Sequence, residues 1–230
     1  MKLGALLPTF RNGAADALAF ADRAVEAGID GLFAYDHLWP MGSPTRPSLA
    51  PFSVLAAVAR RHEGVIVGPL VARIGLVGTP HLVEQYRTLE HFAPGRVVAA
   101  LGTGDALSAA ENGAYGLALY DASERRALLE DAWRGLHEVM PVWFGAGASA
   151  TNQLARRLGA ELNVWDATPE ALAHESAIGA TSWAGPPPED LHGHLDALEA
   201  AGATWAIFAP QVNVTELKEW RSTREKSKFH

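Results

Sequence analysis

Residues 95–105 read Gly-Arg-Val-Val-Ala-Ala-Leu-Gly-Thr-Gly-Asp, an apolar run of strand length that ends in a glycine-rich turn. Such a continuous run is typical of a parallel strand that helices cover on both faces. A helical pattern, His81–Phe92, precedes the run and ends at Pro94 and Gly95. The segment therefore indicates one helix-and-strand unit of a parallel α/β fold.

The same unit recurs along the chain, with eight apolar runs and helical patterns between them. Strict alternation without a break in composition favours one parallel sheet, and eight units are the natural count for a closed barrel. We therefore expect an α/β fold, a single (β/α)8 TIM barrel over residues 1–230, with a helical, frayed tail from about residue 216. The predicted strands are Leu3–Leu7, Gly31–Tyr35, Val65–Val71, Arg96–Leu101, Val142–Phe144, Leu162–Trp165, Thr181–Ala184 and Trp205–Phe208. The predicted helices are Ala14–Ala27, His81–Phe92, Ser123–Val139, Ser149–Leu158, Pro169–Ile178 and Glu189–Ala201.

Composition narrows the possible functions. The net charge of −7 argues against a nucleic-acid partner, and the lack of cysteine excludes disulfides, thiolate metal sites and thiol nucleophiles. The most apolar stretch, residues 65–77, contains Pro69 and Arg73 and is too short to span a membrane. No signal-peptide cleavage pattern follows the first strand, so we expect a cytoplasmic protein.

The second predicted strand is followed by Tyr35-Asp36-His37-Leu38-Trp39. In parallel barrels the catalytic side chains lie in the loops after the strands. His37 can accept a proton near neutral pH, and Asp36 can orient it or bind a cofactor ring. Trp39 can wall a planar ligand, whereas the other tryptophans are interpreted mostly as core or helix packing. The alternative for this loop is a capping aspartate beside a core histidine.

Two glycine loops are further candidates. In the loop after the fourth strand, Gly104 permits close approach of a ligand, Thr103 can donate a hydrogen bond and Asp105 can act as an acid. A plain turn with an N-capping aspartate is the alternative. Residues 145–150, Gly-Ala-Gly-Ala-Ser-Ala, lead into a helix and can present backbone N–H groups to a phosphate.

Residues 145–150 also satisfy the Gly-x-Gly-x-x-Ala pattern of a dinucleotide fold, and Asp166 follows a strand later in the chain. This Rossmann alternative conflicts with the four strand–helix units that precede the motif. A Rossmann domain normally opens with its glycine fingerprint.

With these segments in view, the chain resembles the luciferase-like monooxygenase superfamily and, within it, the oxidoreductases that depend on the deazaflavin coenzyme F420. The resemblance rests on Asp36-His37, on Val65–Val71 continuing to Pro80, and on the segment Gly95–Asp105. Pro141–Gly147 and Gly185–Gly202 add similar order and spacing.

The resemblance implies that the deazaflavin ring lies in the barrel mouth, against a bulge at Leu70 and Val71 that carries a non-proline cis peptide. It further implies these roles: Asp36, Thr103 and Gly104 contact the ring, Gly147, Ala148 and Ser149 hold phosphate, and His37 and Asp105 transfer protons. A homodimer is implied as well.

The resulting hypothesis is an F420-dependent oxidoreductase that transfers a hydride between the deazaflavin and a small-molecule substrate. An FMN-dependent monooxygenase and a non-catalytic flavin-binding barrel are the alternatives. The chain differs from its relatives in two shortened segments, one between Arg125 and Pro141 and one before Thr181, which help to cover the substrate pocket in those proteins.

Overall fold

A computed structural model describes residues 1–40, 42–44, 46–104 and 108–227 of the protein. The strands are β1 (Lys2–Leu6), β2 (Gly31–Ala34), β3 (Ile66–Pro69), β4 (Ala72–Arg73), β5 (Ala99–Gly102), β6 (Val142–Gly145), β7 (Glu161–Trp165), β8 (Thr181–Gly185) and β9 (Trp205–Phe208). The helices are α1 (Ala15–Glu26), α2 (Pro51–Arg61), α3 (Thr79–Phe92), α4 (Ser108–Ala114), α5 (Ala122–Leu136), α6 (Ser149–Leu158), α7 (Pro169–Ser176), α8 (Leu191–Ala200) and α9 (Val214–Ser227).

The strands form one parallel sheet in the order β3-β2-β1-β9-β8-β7-β6-β5-β4. The two end strands of this order are joined through the segment before β5. The Val67 N–H donates to the Arg96 carbonyl at 2.8 Å, and the Val98 N–H donates to the Val67 carbonyl at 3.0 Å. The expected TIM barrel is therefore confirmed. The strand order never reverses, so the Rossmann alternative is wrong.

The third predicted strand, Val65–Val71, is split into two short strands. Pro69 ends β3 because it has no N–H to donate to the ladder. The chain then moves its pairing from β2 to β5: the Leu70 N–H donates to the Ala34 carbonyl, and the Ile74 N–H donates to the Gly102 carbonyl. The Leu70–Val71 peptide bond is cis and lies at this shift. Strands β3 and β4 therefore share one position of the eightfold barrel.

Aromatic rings fill the barrel interior. Phe33 contacts the rings of Trp143 and Trp205 at centroid distances of 5.8 and 5.6 Å. Gly4 and Gly31 make room for these rings, since a Cβ at Gly31 would lie 2.9 Å from the Trp205 ring. A filled interior leaves the ends of the barrel, rather than its centre, for a ligand.

The chain end, expected to be helical with a frayed tail, forms a helix up to residue 227. Residues 214–227 form α9, where Leu217 and Trp220 are buried. The Trp220 indole N–H donates to Asp196 on α8 at 2.7 Å. These two apolar side chains hold the helix on the barrel. Among the described residues, no helix has the length and apolar character needed to cross a membrane.

Candidate active site at the barrel mouth

The loop after β2 places His37 next to the carboxylate of Glu111, a residue that the sequence analysis did not identify. His37 Nδ1 lies 3.1 Å from Oε1 of Glu111, which α4 supplies and whose side chain is 3% exposed. A carboxylate only accepts hydrogen bonds, so we assign the ring hydrogen to Nδ1. His37 keeps its Nε2 for a second partner.

Arg73, at the end of β4, extends this contact into a buried cluster. Its guanidinium lies 2.6 Å from Oε2 of Glu111, and its side chain is 6% exposed. Its backbone N–H donates to Oδ2 of Asp36 at 2.9 Å. Burial raises the pKa of Asp36, while the Arg73 N–H and the positive charge of Arg73 oppose that rise. We call Asp36, His37, Arg73 and Glu111 the mouth cluster.

Beside the mouth cluster, Val71 forms a small apolar surface on the chain bulge. A Cβ added at Gly102 would overlap the Val71 side chain, and one at Gly145 would lie 3.4 Å from it. These two glycines therefore let the Val71 side chain lie across the ends of β5 and β6. Val71 remains half-exposed at the mouth, whereas Leu70 is buried in the barrel interior. We call Val71, Gly102 and Gly145 the cradle.

The other predicted residues near β5 lie next to the cradle. Thr103 is half-buried and donates to the Gly104 carbonyl at 3.3 Å. Gly104 has a φ of +66°, and a Cβ there would lie 3.1 Å from the Arg73 side chain. A glycine therefore suits this turn beside the mouth cluster. Asp105 lies outside the described residues.

Gly147, Ala148 and Ser149 are exposed and lead into the first turn of α6, as predicted from the sequence. Ala148 is the N-cap residue and has no side-chain oxygen to accept from the first turn. Asn152 shapes the loop by accepting the Gly147 N–H at 3.0 Å. The backbone N–H groups at this helix start can therefore face an anion.

The aromatic side chains at the mouth differ from expectation. Trp39 is 7% exposed and packs against Tyr115 with centroids 5.6 Å apart. Trp165, interpreted from sequence as core, is instead 51% exposed at the end of β7. Its ring meets Tyr35 edge-on at 6.1 Å. No group of three His, Asp or Glu side chains suited to a metal ion occurs within the described part of the chain.

Comparison with curated proteins gives relatives that match part of the chain. An F420-dependent glucose-6-phosphate dehydrogenase from Intrasporangium calvum is 36% identical over 113 residues, 48% of this chain and 33% of that protein. A protein of the same name from Nakamurella multipartita is 28% identical over 174 residues, 64% of this chain and 50% of that protein. The chain thus spans half or less of the length of these two curated relatives.

Among solved structures, an F420-dependent secondary alcohol dehydrogenase in complex with an F420-acetone adduct matches with a TM-score of 0.79 and 14% identity, covering 95% of this chain and 97% of that one. The coenzyme F420 dependent tetrahydromethanopterin reductase from Methanopyrus kandleri matches with a TM-score of 0.72 and 11% identity, covering 95% and 96%. At these identities the matches show a shared fold. The sequence model described as luciferase-like monooxygenase matches residues 1–140. With well over half of its length matched, the chain belongs to the luciferase-like monooxygenase family.

Proposed function

We propose that this protein is an oxidoreductase that binds coenzyme F420 at the barrel mouth and transfers a hydride between the deazaflavin and a small organic substrate. The observation that carries the proposal is the placement of His37, held by the buried Glu111, at the same end of the barrel as the cradle. The names of the curated relatives point to the same cofactor.

The residues at the mouth fit such a cofactor. The half-exposed Val71, flanked by glycines, offers an apolar surface to a planar ring. Thr103 and Gly104 line the ring edge in this proposal, and Asp36 contacts it from the β2 side. The exposed loop of Gly147, Ala148 and Ser149 takes a phosphate at the start of α6. When bound, the deazaflavin supplies a two-electron hydride acceptor or donor.

Proton transfer falls to His37 in this proposal. Its Nδ1–H is held by Glu111, so Nε2 can take the proton of a substrate hydroxyl as the alcohol becomes a carbonyl compound. The nearby carboxylate stabilises the imidazolium that results. In the opposite direction, Nε2 returns the proton to the substrate oxygen. Glu111 acts through His37, and Asp105 remains a second candidate for proton transfer.

The substrate side of the pocket lies next to this histidine. Trp39 follows His37 by two residues, and its ring supports Tyr115, which is 58% exposed. We propose that Trp39 walls the substrate in this way. The homodimer suggested by the family resemblance also remains a proposal.

The test is a titration of the purified chain with oxidised F420 and, in parallel, with FMN, followed by cofactor absorbance and fluorescence. We expect tighter binding of F420, followed by hydride exchange with alcohol or carbonyl substrates. Tighter binding of FMN, with oxygen uptake by its reduced form, would instead support the monooxygenase alternative. Binding of neither would refute the proposed function.

Ser149 allows a matched pair of variants for the phosphate site. It opens α6, and the preceding Ala148 has φ −60° and ψ 147°, a conformation that a following proline accepts. Ser149→Pro removes one backbone N–H, whereas Ser149→Ala removes only the hydroxyl. If the backbone binds phosphate, Ser149→Pro weakens F420 binding by about tenfold or more while Ser149→Ala changes it little.

A further inference from the structure

Three aromatic side chains form a partly exposed surface across the barrel mouth. Phe10, in the loop after β1, stacks on Tyr35 with centroids 5.3 Å apart and an interplanar angle of 10°. Tyr35 in turn meets the edge of Trp165 at 6.1 Å. We call Phe10, Tyr35 and Trp165 the aromatic floor.

The aromatic floor spans the mouth from one side of the barrel to the other. Tyr35 follows β2 and Trp165 ends β7, and three strands, β1, β9 and β8, separate these two in the sheet. In a barrel of eight positions, strands with that separation face each other. The floor therefore lies across the top of the packed interior, where it faces the barrel mouth.

Trp165 is the member of the floor that is open to a ligand. More than half of its surface, 51%, is exposed, although it lies at the end of a strand whose middle residues are buried. The next residue, Asp166, has a φ of +52°, an uncommon conformation for a residue other than glycine. Aspartate is one of the few residue types that adopt such a positive φ at little cost, so the chain turns directly after Trp165.

The floor and the cradle lie on different parts of the rim. The cradle lies at β4, β5 and β6, whereas Phe10 and Tyr35 follow β1 and β2. His37 lies two residues after Tyr35. Trp165 ends β7, which pairs with β6 of the cradle, so the aromatic floor reaches from the segment before His37 to the neighbour of the cradle.

From this arrangement we propose that the substrate is an alcohol or carbonyl compound with a planar aromatic or conjugated body, which stacks on Trp165 with its oxygen toward Tyr35 and His37. The inference rests on the proposed function. Burial raises the pKa of Tyr35 to about 12, so its neutral hydroxyl can donate to the substrate oxygen. Arg73 pairs with Glu111 beside His37, and its side chain is 6% exposed.

The test compares acetophenone with cyclohexyl methyl ketone, because both are methyl ketones and only the first has a planar ring. Dissociation constants are measured by ligand-observed NMR for the chain alone and for the chain saturated with oxidised F420, with glucose 6-phosphate as a third probe. We expect acetophenone to bind tighter than its saturated counterpart by about 2- to 12-fold, the range of an aromatic contact.

Variants of Trp165 and Phe92 test whether the preference for acetophenone arises at Trp165. Trp165→Leu is expected to abolish it, and Trp165→Phe, which keeps an aromatic face, to retain most of it. Phe92 is the control, because it is also an exposed aromatic residue but lines a groove between α2 and α3. Phe92→Leu is expected to leave both dissociation constants unchanged.

The inference would be overturned if the two ketones bound equally, if glucose 6-phosphate bound tighter than acetophenone, or if neither preparation bound a ketone. It would also be overturned by the variants, if the preference for acetophenone survived Trp165→Leu or disappeared in Phe92→Leu. Failure of the proposed function would give a different result from failure of this inference. A chain that fails to bind F420 but shows the Trp165-dependent preference alone would refute the cofactor and keep the aromatic site.

Discussion

The buried Arg73–Glu111 pair allows a quantitative test of the mouth cluster. Both side chains are nearly inaccessible, 6% and 3% exposed, and the charged atoms lie 2.6 Å apart. Removing one member of such a pair leaves an uncompensated buried charge, which costs about 3–5 kcal/mol. For Glu111→Leu we expect the lower end, about 3 kcal/mol, because Asp36 remains close to Arg73. Arg73→Met should cost a similar amount, since it leaves Glu111 with His37 alone.

The double variant Glu111→Leu, Arg73→Met is expected to be much less destabilised than the sum of the single variants, by less than about 2 kcal/mol in total, because neither charge is then buried without a partner. The assay is equilibrium unfolding in urea, followed by both circular dichroism and tryptophan fluorescence to check for a two-state transition. With an m-value of about 3 kcal/mol/M, each single variant lowers the midpoint by about 1 M.

Arg134→Met is the matched control, because Arg134 and Glu130 also lie 2.6 Å apart but Arg134 is 59% exposed. An exposed pair contributes about 1 kcal/mol or less, so this variant should shift the midpoint only slightly. Additive effects of Glu111→Leu and Arg73→Met, within about 0.5 kcal/mol, would show that the two side chains are not energetically coupled and would refute the argument.

Three further predictions concern the same end of the barrel. Because burial raises the pKa of Asp36 in the folded chain, the folded state holds this proton more tightly, and stability falls as the pH rises from about 4 through the folded pKa. Asp36→Asn should therefore raise the free energy of unfolding, measured in urea at pH 7. This gain should disappear toward about pH 4, and a gain that does not change with pH would contradict the argument. Gly102→Ala should cost about 1–3 kcal/mol because the new methyl group overlaps Val71, and Val71→Ala in the same chain should recover part of that loss in thermal melts. In single-turnover assays with F420, His37→Ala should slow hydride transfer by about 10²- to 10⁴-fold, the contribution of a general base. Glu111→Gln should slow it far less, because the amide oxygen can still accept from Nδ1–H; equal losses would exclude the orienting role of Glu111.

The sequence predicts the barrel well where local signals and packing agree. Trp205–Phe208 and Ser149–Leu158 match the observed strand and helix to the residue. The first is an unbroken apolar run, and the second ends at Gly159, whose φ of +68° suits a glycine after a helix. By contrast, α2 and α4 were not predicted, and the helix at the chain end was expected to begin at about residue 216 rather than at Val214.

The candidate site is only partly visible in the sequence, because its contacts depend on how distant segments meet. Position at a strand end was enough to single out His37, but its partner Glu111 lies 74 residues away, on a helix that was not predicted. Trp165 ends an apolar run, so the sequence predicts that it is buried in the core. In the structure Trp165 is exposed, and Asp166 directly after it has a positive φ. The position of the Val71 side chain likewise depends on Gly102, where a Cβ would overlap it.

The charges of the mouth cluster connect its stability with the proposed chemistry. Glu111 pairs with the Arg73 guanidinium, whereas Asp36 accepts the Arg73 backbone N–H and interacts electrostatically with the same positive charge. With all three ionised, the cluster carries one uncompensated negative charge, and a proton taken up by His37 neutralises it. In the proposed chemistry, a substrate proton is received beside a carboxylate that already holds the imidazole. Burial is the main reason that ionised Asp36 is unfavourable in the folded state, so Asp36→Asn should give a more stable protein.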